Sequence, residues 1–391
     1  MGREDNMKKY LFLLLVVVLC SVVVFPAVAG GPKEEVEAEE EDPLAGLTDQ
    51  QRAIVERAKK LTEERTGPQT KWYGPTSGPK LAPNKYIVFL ASNYQNSITK
   101  QMADYCERLG AEIGWKVTSI DGKGTVDSWL AGFNQAIAMK PDGIMTDANA
   151  EVLQVPIQEA WKKGIPVAGM HALHIPGPVP DMGLLYNCTT KPEEIGAALA
   201  DYIIAHSNGK GRAIVLYDAL YAIARAKANA MKDRFAECTS CNLLEFANYP
   251  IAEVPTQMPQ IGVSWVKKHP KPFYVMTIAD YYYDFMVPSL RAGGVPTTDV
   301  VLLGSDAPRS AYDRIREQEY QIVSIPEPWD LFVYMCFDAL NRYFHGQEVH
   351  TWHQPVFCID PRNVEEEGGQ NDEFIPQCGY QERYKKIWGV M

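Results

Sequence analysis

The chain has 391 residues, 46% of them hydrophobic and 22% charged, enough to build two domains with cores of their own. Its 49 acidic side chains outnumber 38 basic ones, for a net charge of -11, and no basic cluster interrupts that excess. Such a balance argues against nucleic acid or an anionic membrane as partner.

The first 29 residues read as a secretory leader. Lys8 and Lys9 precede an apolar run over 11–24 interrupted only by Ser21, and Ala27-Val28-Ala29 supplies a small-x-small cleavage site. A retained membrane anchor is the competing reading, because the run approaches spanning length when 10–28 is counted. Residues 33–42 carry seven acids and one lysine, a block that stays solvated. Thr48 to Gln51 then opens a helix reaching Arg65. Residues 67–84, rich in Gly, Pro and Lys, form an extended connector whose Trp72 and Tyr73 pack on the body.

From Tyr86 one unit repeats. An apolar strand over 86–91 breaks at polar residues 92–97, and a helix follows with Ile98, Met102, Tyr105 and Leu109 on one face and Gly110 at its end. The unit returns with strands at 115–120, 143–146 and 166–170, the last closing on His171. Strand, polar turn, helix, strand is the pattern of parallel βαβ crossovers. Residues 172–182, with three prolines, form a loop, and 183–186 a short strand. The alternation then restarts, with strands at 212–217, 243–247, 273–278, 300–304 and 321–325 separated by helical patterns, and a long helix at 331–344. After Cys358 the chain is irregular up to a short helix at 380–388.

Two successive α/β halves place a ligand between them, at the carboxyl ends of their strands. Those ends carry Asn93, Tyr94, Asp121, Asp147, Asn149 and His171 in the first half and Asp306 in the second. Amide and carboxylate groups suit hydroxyl ligands, and the rings of Tyr94, Tyr249 and Trp329 suit stacking on a sugar face. Asp121 and Asp147 equally suit helix capping, and Tyr282 and Tyr283 suit core packing. Chemistry is not advertised. There is no phosphate loop, no glycine-rich dinucleotide turn, no nucleophile elbow around Ser305 and no metal-ligand spacing among the histidines, so no cofactor or metal is expected. In an oxidising compartment Cys238 with Cys241, and Cys358 with Cys378, suit disulfides, while Cys106 and Cys336 fall on helices as buried thiols.

Several segments in order carry a family resemblance. They are Pro141-Asp-Gly-Ile-Met145, Gly164-Ile-Pro-Val167, Gly196-Ala-Ala-Leu-Ala-Asp-Tyr202, Asn208-Gly-Lys-Gly-Arg212, Val300-Val-Leu-Leu-Gly-Ser-Asp306 and Ile325-Pro-Glu-Pro328. Over 85–349 the chain resembles the type I periplasmic sugar-binding proteins of ABC importers, the ribose- and galactose-binding group. The resemblance implies two Rossmann-like parallel-sheet domains joined by a three-strand hinge near Asn187, Pro326 and Val349, closing on a ligand. On that template the N-terminal lobe is 85–187 with 328–348, the C-terminal lobe is 188–327 with 349–358, and 359–391 is a tail. Position by position, the family's first-strand aromatic falls on Tyr94 with Gln95 beside it, and the aspartate ending its fourth strand on His171. Its arginine falls on Lys227 with Arg225 nearby, its Asn-Asp on Ala279 and Asp280, its late aspartate on Asp306, and its hinge glutamine on Pro326 or Glu327. His for Asp, Ala for Asn and Pro or Glu for Gln depart from the sugar pattern.

The expectation is an exported, monomeric solute-binding protein that takes a sugar or sugar-like ligand and delivers it to an ABC importer permease. The alternative on the same fold is a ligand sensor presenting its bound form to a chemoreceptor or kinase, or an importer component for an aromatic, nucleoside or acidic solute. An exported hydrolase or thiol oxidoreductase is the enzyme alternative. The fold is shared with transcriptional repressors, but a leader stands where their DNA-binding head would be.

Overall fold

The computed structural model describes residues 42–391 except 369 and 370; the stretch expected to be a leader and most of the acidic block lie outside the described residues. Two sheets organise the chain. In the first, β1 (Tyr86–Ala91), β2 (Lys116–Asp121), β3 (Gly143–Thr146), β4 (Val167–Met170), β5 (Gly177–Val179) and β6 (Leu184–Cys188) run in the order β2-β1-β3-β4-β6-β5. In the second, β7 (Arg212–Tyr217), β8 (Asn242–Asn248), β9 (Phe273–Thr277), β10 (Val300–Asp306) and β11 (Gln321–Pro326) run in the order β11-β10-β9-β7-β8. The second sheet is wholly parallel. The first is parallel apart from β5, which pairs antiparallel with β6 inside the proline-rich stretch expected to be a loop. Chain order reverses beside β1 and β7, so each sheet has a switch point at its carboxyl edge.

The inner strands are buried on both faces, as parallel sheets require, while the edge strands β2 and β8 are only half-buried. In β1, Ile87, Phe89 and Ala91 enter one cluster with α2 (Ser97–Ile113) and α10 (Trp329–Phe344). Val88 and Leu90 point oppositely, toward α3 (Val126–Ala138) and α4 (Ala150–Lys162). That alternation is the period of a strand. The second sheet shares one core with α5 (Pro192–His206), α6 (Ala222–Ala236), α7 (Val254–Lys268) and α8 (Tyr281–Ala292); α9 (Arg309–Arg316) packs on β11. Tyr282 and Tyr283 are core residues of α8, their hydroxyls donating to the carbonyls of Tyr249 and of Val275 and Leu303.

The helix α2 does not stop at Gly110. It runs to Ile113 and ends at Gly114, whose φ of 78° is the left-handed cap. Gly110 stays inside because a Cβ there would stand 2.4 Å from Val117 of β2.

Among the described residues, the segments flanking the two sheets are built into the body. The helix α1 (Asp49–Glu64), with Thr48 and Gln51 in a capping box, lays Val55 and Ala58 in the core of the second lobe. The connector then crosses to the first lobe, where Ala82 N–H donates to Asn341 of α10 (2.8 Å). Residues after the hinge return to β11 through a Ser324–Ile359 bridge. Past the short α11 (Val364–Glu367), the α12 helix (Tyr380–Trp388) packs on α10, so the tail adds a further crossing between lobes. This divides the expected Cys358–Cys378 pair. Cys358 sits in the second-lobe core and Cys378 in the first-lobe core, both as free thiols. Cys238 and Cys241 form a disulfide just after α6.

Candidate functional site

The two switch points face each other across a cavity of about 70 Å³. From the first lobe come Ser92 and Asn93 after β1, Asn96 and Thr99 at the start of α2, Asp147 after β3 and His171 after β4. From the second come Tyr221 and Lys227 around α6, Ile278 and Ala279 after β9, and Asp306 at the end of β10; Trp329 opens α10. Such a volume is far below the roughly 300–1,000 Å³ of a drug-sized pocket. The lobes stand closed. Arg225 Nη2 meets Glu151 at 2.6 Å across the mouth, Asn149 Nδ2 donates to the Leu220 carbonyl at 2.8 Å, and Tyr221 lies 5.4 Å from Trp129.

Two strand ends are bent to reach this space. His171 has a φ of 62° and Asp306 a φ of 87°, left-handed values that cost roughly 1–3 kcal/mol each for side chains of this kind. His171 N–H donates to Cys188 O at 2.9 Å, and Trp329 Nε1 donates to Asp306 O at 3.2 Å, so neighbouring elements fix both turns.

A buried charge cluster joins the lobes beneath the cavity. Lys227 Nζ lies 2.6 Å from Glu327 Oε1 and 3.2 Å from Asp306 Oδ1, with Ser305 Oγ at 3.3 Å and the Ile278 carbonyl at 3.4 Å. Glu327 Oε2 accepts from Thr190 Oγ1 at 2.6 Å and contacts His171 Nε2. Burial pushes the Glu327 carboxyl up, but His171 and Lys227 outweigh it and hold the group at about 2. Burial pulls Lys227 down, and Asp306 with Glu327 reverses this and raises it. Asp306 itself is raised, by burial and by Glu327 against the pull of Lys227. On the other wall Asp147 accepts from Ser92 N–H (2.6 Å), Ser92 Oγ (2.7 Å) and Thr99 Oγ1 (3.3 Å). Burial still lifts it to about 6.

Of the residues expected at the site, Asn93, Asp147, His171, Lys227, Asp306 and Trp329 line the cavity, and Glu327 lies directly beneath it. The others are placed elsewhere. Asp121 Oδ1 accepts from Tyr94 N–H (3.1 Å), a turn that aims Asn93 inward and leaves Tyr94 outside the lining, its ring beside Lys100. Gln95 is exposed to solvent. Arg225 is spent on Glu151 and the Ala219 carbonyl at the mouth. Tyr249 packs edge-on to Trp265, away from the cavity. Asp280 is buried behind the wall, where Oδ1 accepts from Gln321 Nε2 (2.6 Å) and Oδ2 from Ala307 N–H (3.1 Å), holding the turn after Asp306. Ser92, Asn96, Thr99 and Tyr221 were not anticipated. Asn96 and Thr99 read as helix-start residues, and Asn96 does cap α2.

The family model of the periplasmic binding protein domain matches residues 87–348. Solved structures share the fold at low identity. A sugar ABC transporter protein from Yersinia enterocolitica subsp. enterocolitica 8081 superposes with a TM-score of 0.68 at 16% identity, covering 81% of this chain and 98% of its own. A solute-binding protein from Mycobacterium smegmatis with bound glycerol gives 0.66 at 14%, covering 75% and 99%. One from Agrobacterium vitis with bound allitol gives 0.60 at 15%, covering 72% and 97%. No curated protein matches the chain. With most of its length spanned by the family model and both of its sheets wound in the order of that fold, the chain belongs to the periplasmic binding protein family.

Proposed function

We propose that this protein is exported, captures a small polar solute of the sugar or polyol class between its lobes, and hands it to an ABC importer. The observation that carries the reading is the closed cavity itself. Polar side chains from two switch points converge on it, and Trp329, His171 and Tyr221 supply ring surfaces beside them. Hydroxyls need donors and acceptors together, and the lining offers amide, hydroxyl and carboxylate groups. The bound sugar alcohols of the structural neighbours support the same class. Opening of the lobes about the crossings after β6, β11 and α10 would admit the solute, and the contacts of Glu151 and Asn149 with the second lobe would restore closure.

A thermal-shift panel of sugars, polyols and nucleosides on the purified protein tests this. A ligand at about a hundred times its dissociation constant adds about 2.7 kcal/mol and raises the melting point. Sugar or polyol hits support the reading. Hits confined to nucleosides would keep capture and discard the class.

A further inference from the structure

The donors and acceptors around the cavity are unequally spent, and the inequality bears on charge. Lys227 has three hydrogens and four acceptors within 3.4 Å, namely Glu327 Oε1, Asp306 Oδ1, Ser305 Oγ and Ile278 O. Arg225, the other cation near the cleft, is turned to Glu151 and Ala219 O. Lys227 thus has no proton left for an incoming anion, and the N–H groups that Arg225 keeps stand at the half-exposed mouth, outside the cavity lining. The acceptors are in the opposite condition. Asp306 uses only Oδ1 on Lys227 and Ser305, and no partner among the described residues reaches Oδ2, although the side chain is only 12% exposed. Asp147, on the facing lobe, receives donors but no cation. Asp306 and Glu327 thus share one ammonium, Asp147 faces the same closed space with none, and His171 Nε2 is already turned to Glu327. With Asp306 in the lining of a nearly closed cavity, its unshared carboxylate oxygen has no protein partner, and a cationic guest would supply one.

Resting on the solute-binding reading above, we infer that the solute carries a positive charge: it is an amino sugar or a comparable amino-polyol, its ammonium group set against Asp306 Oδ2 and its hydroxyls shared between the lobes. Asp306 takes the charge, while Asp147 and Asn93 accept from and donate to hydroxyls on the first-lobe side. The rings of Trp329 and Tyr221, which line the same space, add the attraction of an aromatic face for a cation. Anionic solutes are disfavoured for the same reason: in the cavity they would meet the carboxylates of Asp147 and Asp306, while Lys227, the cation of the lining, is already committed.

The test is calorimetry on the purified full chain with matched sets built on one skeleton. The hexose set is D-glucosamine, D-glucose, N-acetyl-D-glucosamine and D-glucuronate, with equivalent sets on galactose and on an open-chain polyol. The expected result is that the amine binds at least about tenfold tighter than its neutral and acetylated partners, and that the acid does not bind. Asp306→Asn should erase that preference while retaining an acceptor for Lys227. Should this variant fail to fold, the comparison among ligands on the unaltered protein stands by itself. A neutral member binding as tightly as its amine, or an acid binding at all, overturns the charge assignment and leaves solute capture intact. If no member of any set binds, the solute-binding reading falls and this inference with it.

Discussion

Glu327 directly follows β11 and is held by Lys227, Thr190 and His171 at once. Removing one partner of such a buried cluster is expected to cost far more than the cluster adds as a whole, because the remaining charges stay desolvated. Lys227→Met should therefore lose about 3–5 kcal/mol in urea denaturation, since Glu327 and Asp306 would lose their shared cation. A loss under about 1 kcal/mol would mean that water reaches the cluster. Titration runs in two directions here. Asp147 is lifted by burial to about 6 and Asp280 to about 7. Unfolded aspartates release their protons near about pH 4. Between those values the folded chain binds more protons, so the stability these two contribute is full below about pH 4 and is lost as pH rises through 6 and 7. Glu327 behaves oppositely: its contribution is present above the unfolded value and lost only as pH falls through about 2. The ligand-free protein should accordingly melt higher near about pH 5.5 than near about pH 8, and Asp280→Asn should flatten that slope. Melting curves across the range decide the point; an unchanged slope in the variant would remove Asp280 as its source.

At the scale of elements, the alternation of strand and helix was legible because apolar runs and 3.6-residue stripes are written locally. The rule that ligands meet parallel strands at their carboxyl ends then located Asn93, Asp147, His171 and Asp306 without coordinates. What failed to show was set by contacts distant in sequence. Which way Tyr94 faces depends on Asp121, and that α2 passes Gly110 depends on the close approach of Val117. The β5 strand exists only through its pairing with β6, in a stretch whose prolines read as loop. The α12 helix was anticipated as a short terminal piece, but its partner was not. There Trp388 stacks on Tyr334 of α10 (5.8 Å, 7° between planes) and donates Nε1–H to Asp338 at 3.0 Å. Trp388→Ala should cost about 3–5 kcal/mol, as other buried tryptophans do. Urea denaturation measures it, and a cost near zero would make the helix an ornament of the lobe.

At the scale of the whole molecule, the family model ends at residues 87 and 348, and the segments beyond it tie the two lobes together. Arg65, just past α1, donates to Asp201 of α5 in the second lobe (2.8 Å) and accepts at its carbonyl from Cys358 N–H. Gln69 and Gln354 meet where the connector runs beside the post-hinge segment, at 3.0 Å. Within the first lobe Trp72 is wedged between Trp352 (5.1 Å) and Tyr384 of α12 (5.6 Å), its indole N–H donating to Pro75 O. Gly74 is required there, because a Cβ would stand 2.3 Å from the Trp72 ring. These straps make contacts that neither lobe has alone, so loosening one lobe removes packing from the other. The protein should unfold in a single calorimetric transition rather than lobe by lobe. Trp72→Ala, at a half-buried site, should lower that transition by about 2 kcal/mol, below the cost of a fully buried tryptophan. Coupling predicts that the two lobes still melt together in the variant while the midpoint falls. Two resolved endotherms in the unaltered protein would show that the straps decorate the lobes without joining their stabilities. Two endotherms in the variant alone would place the coupling on Trp72 itself.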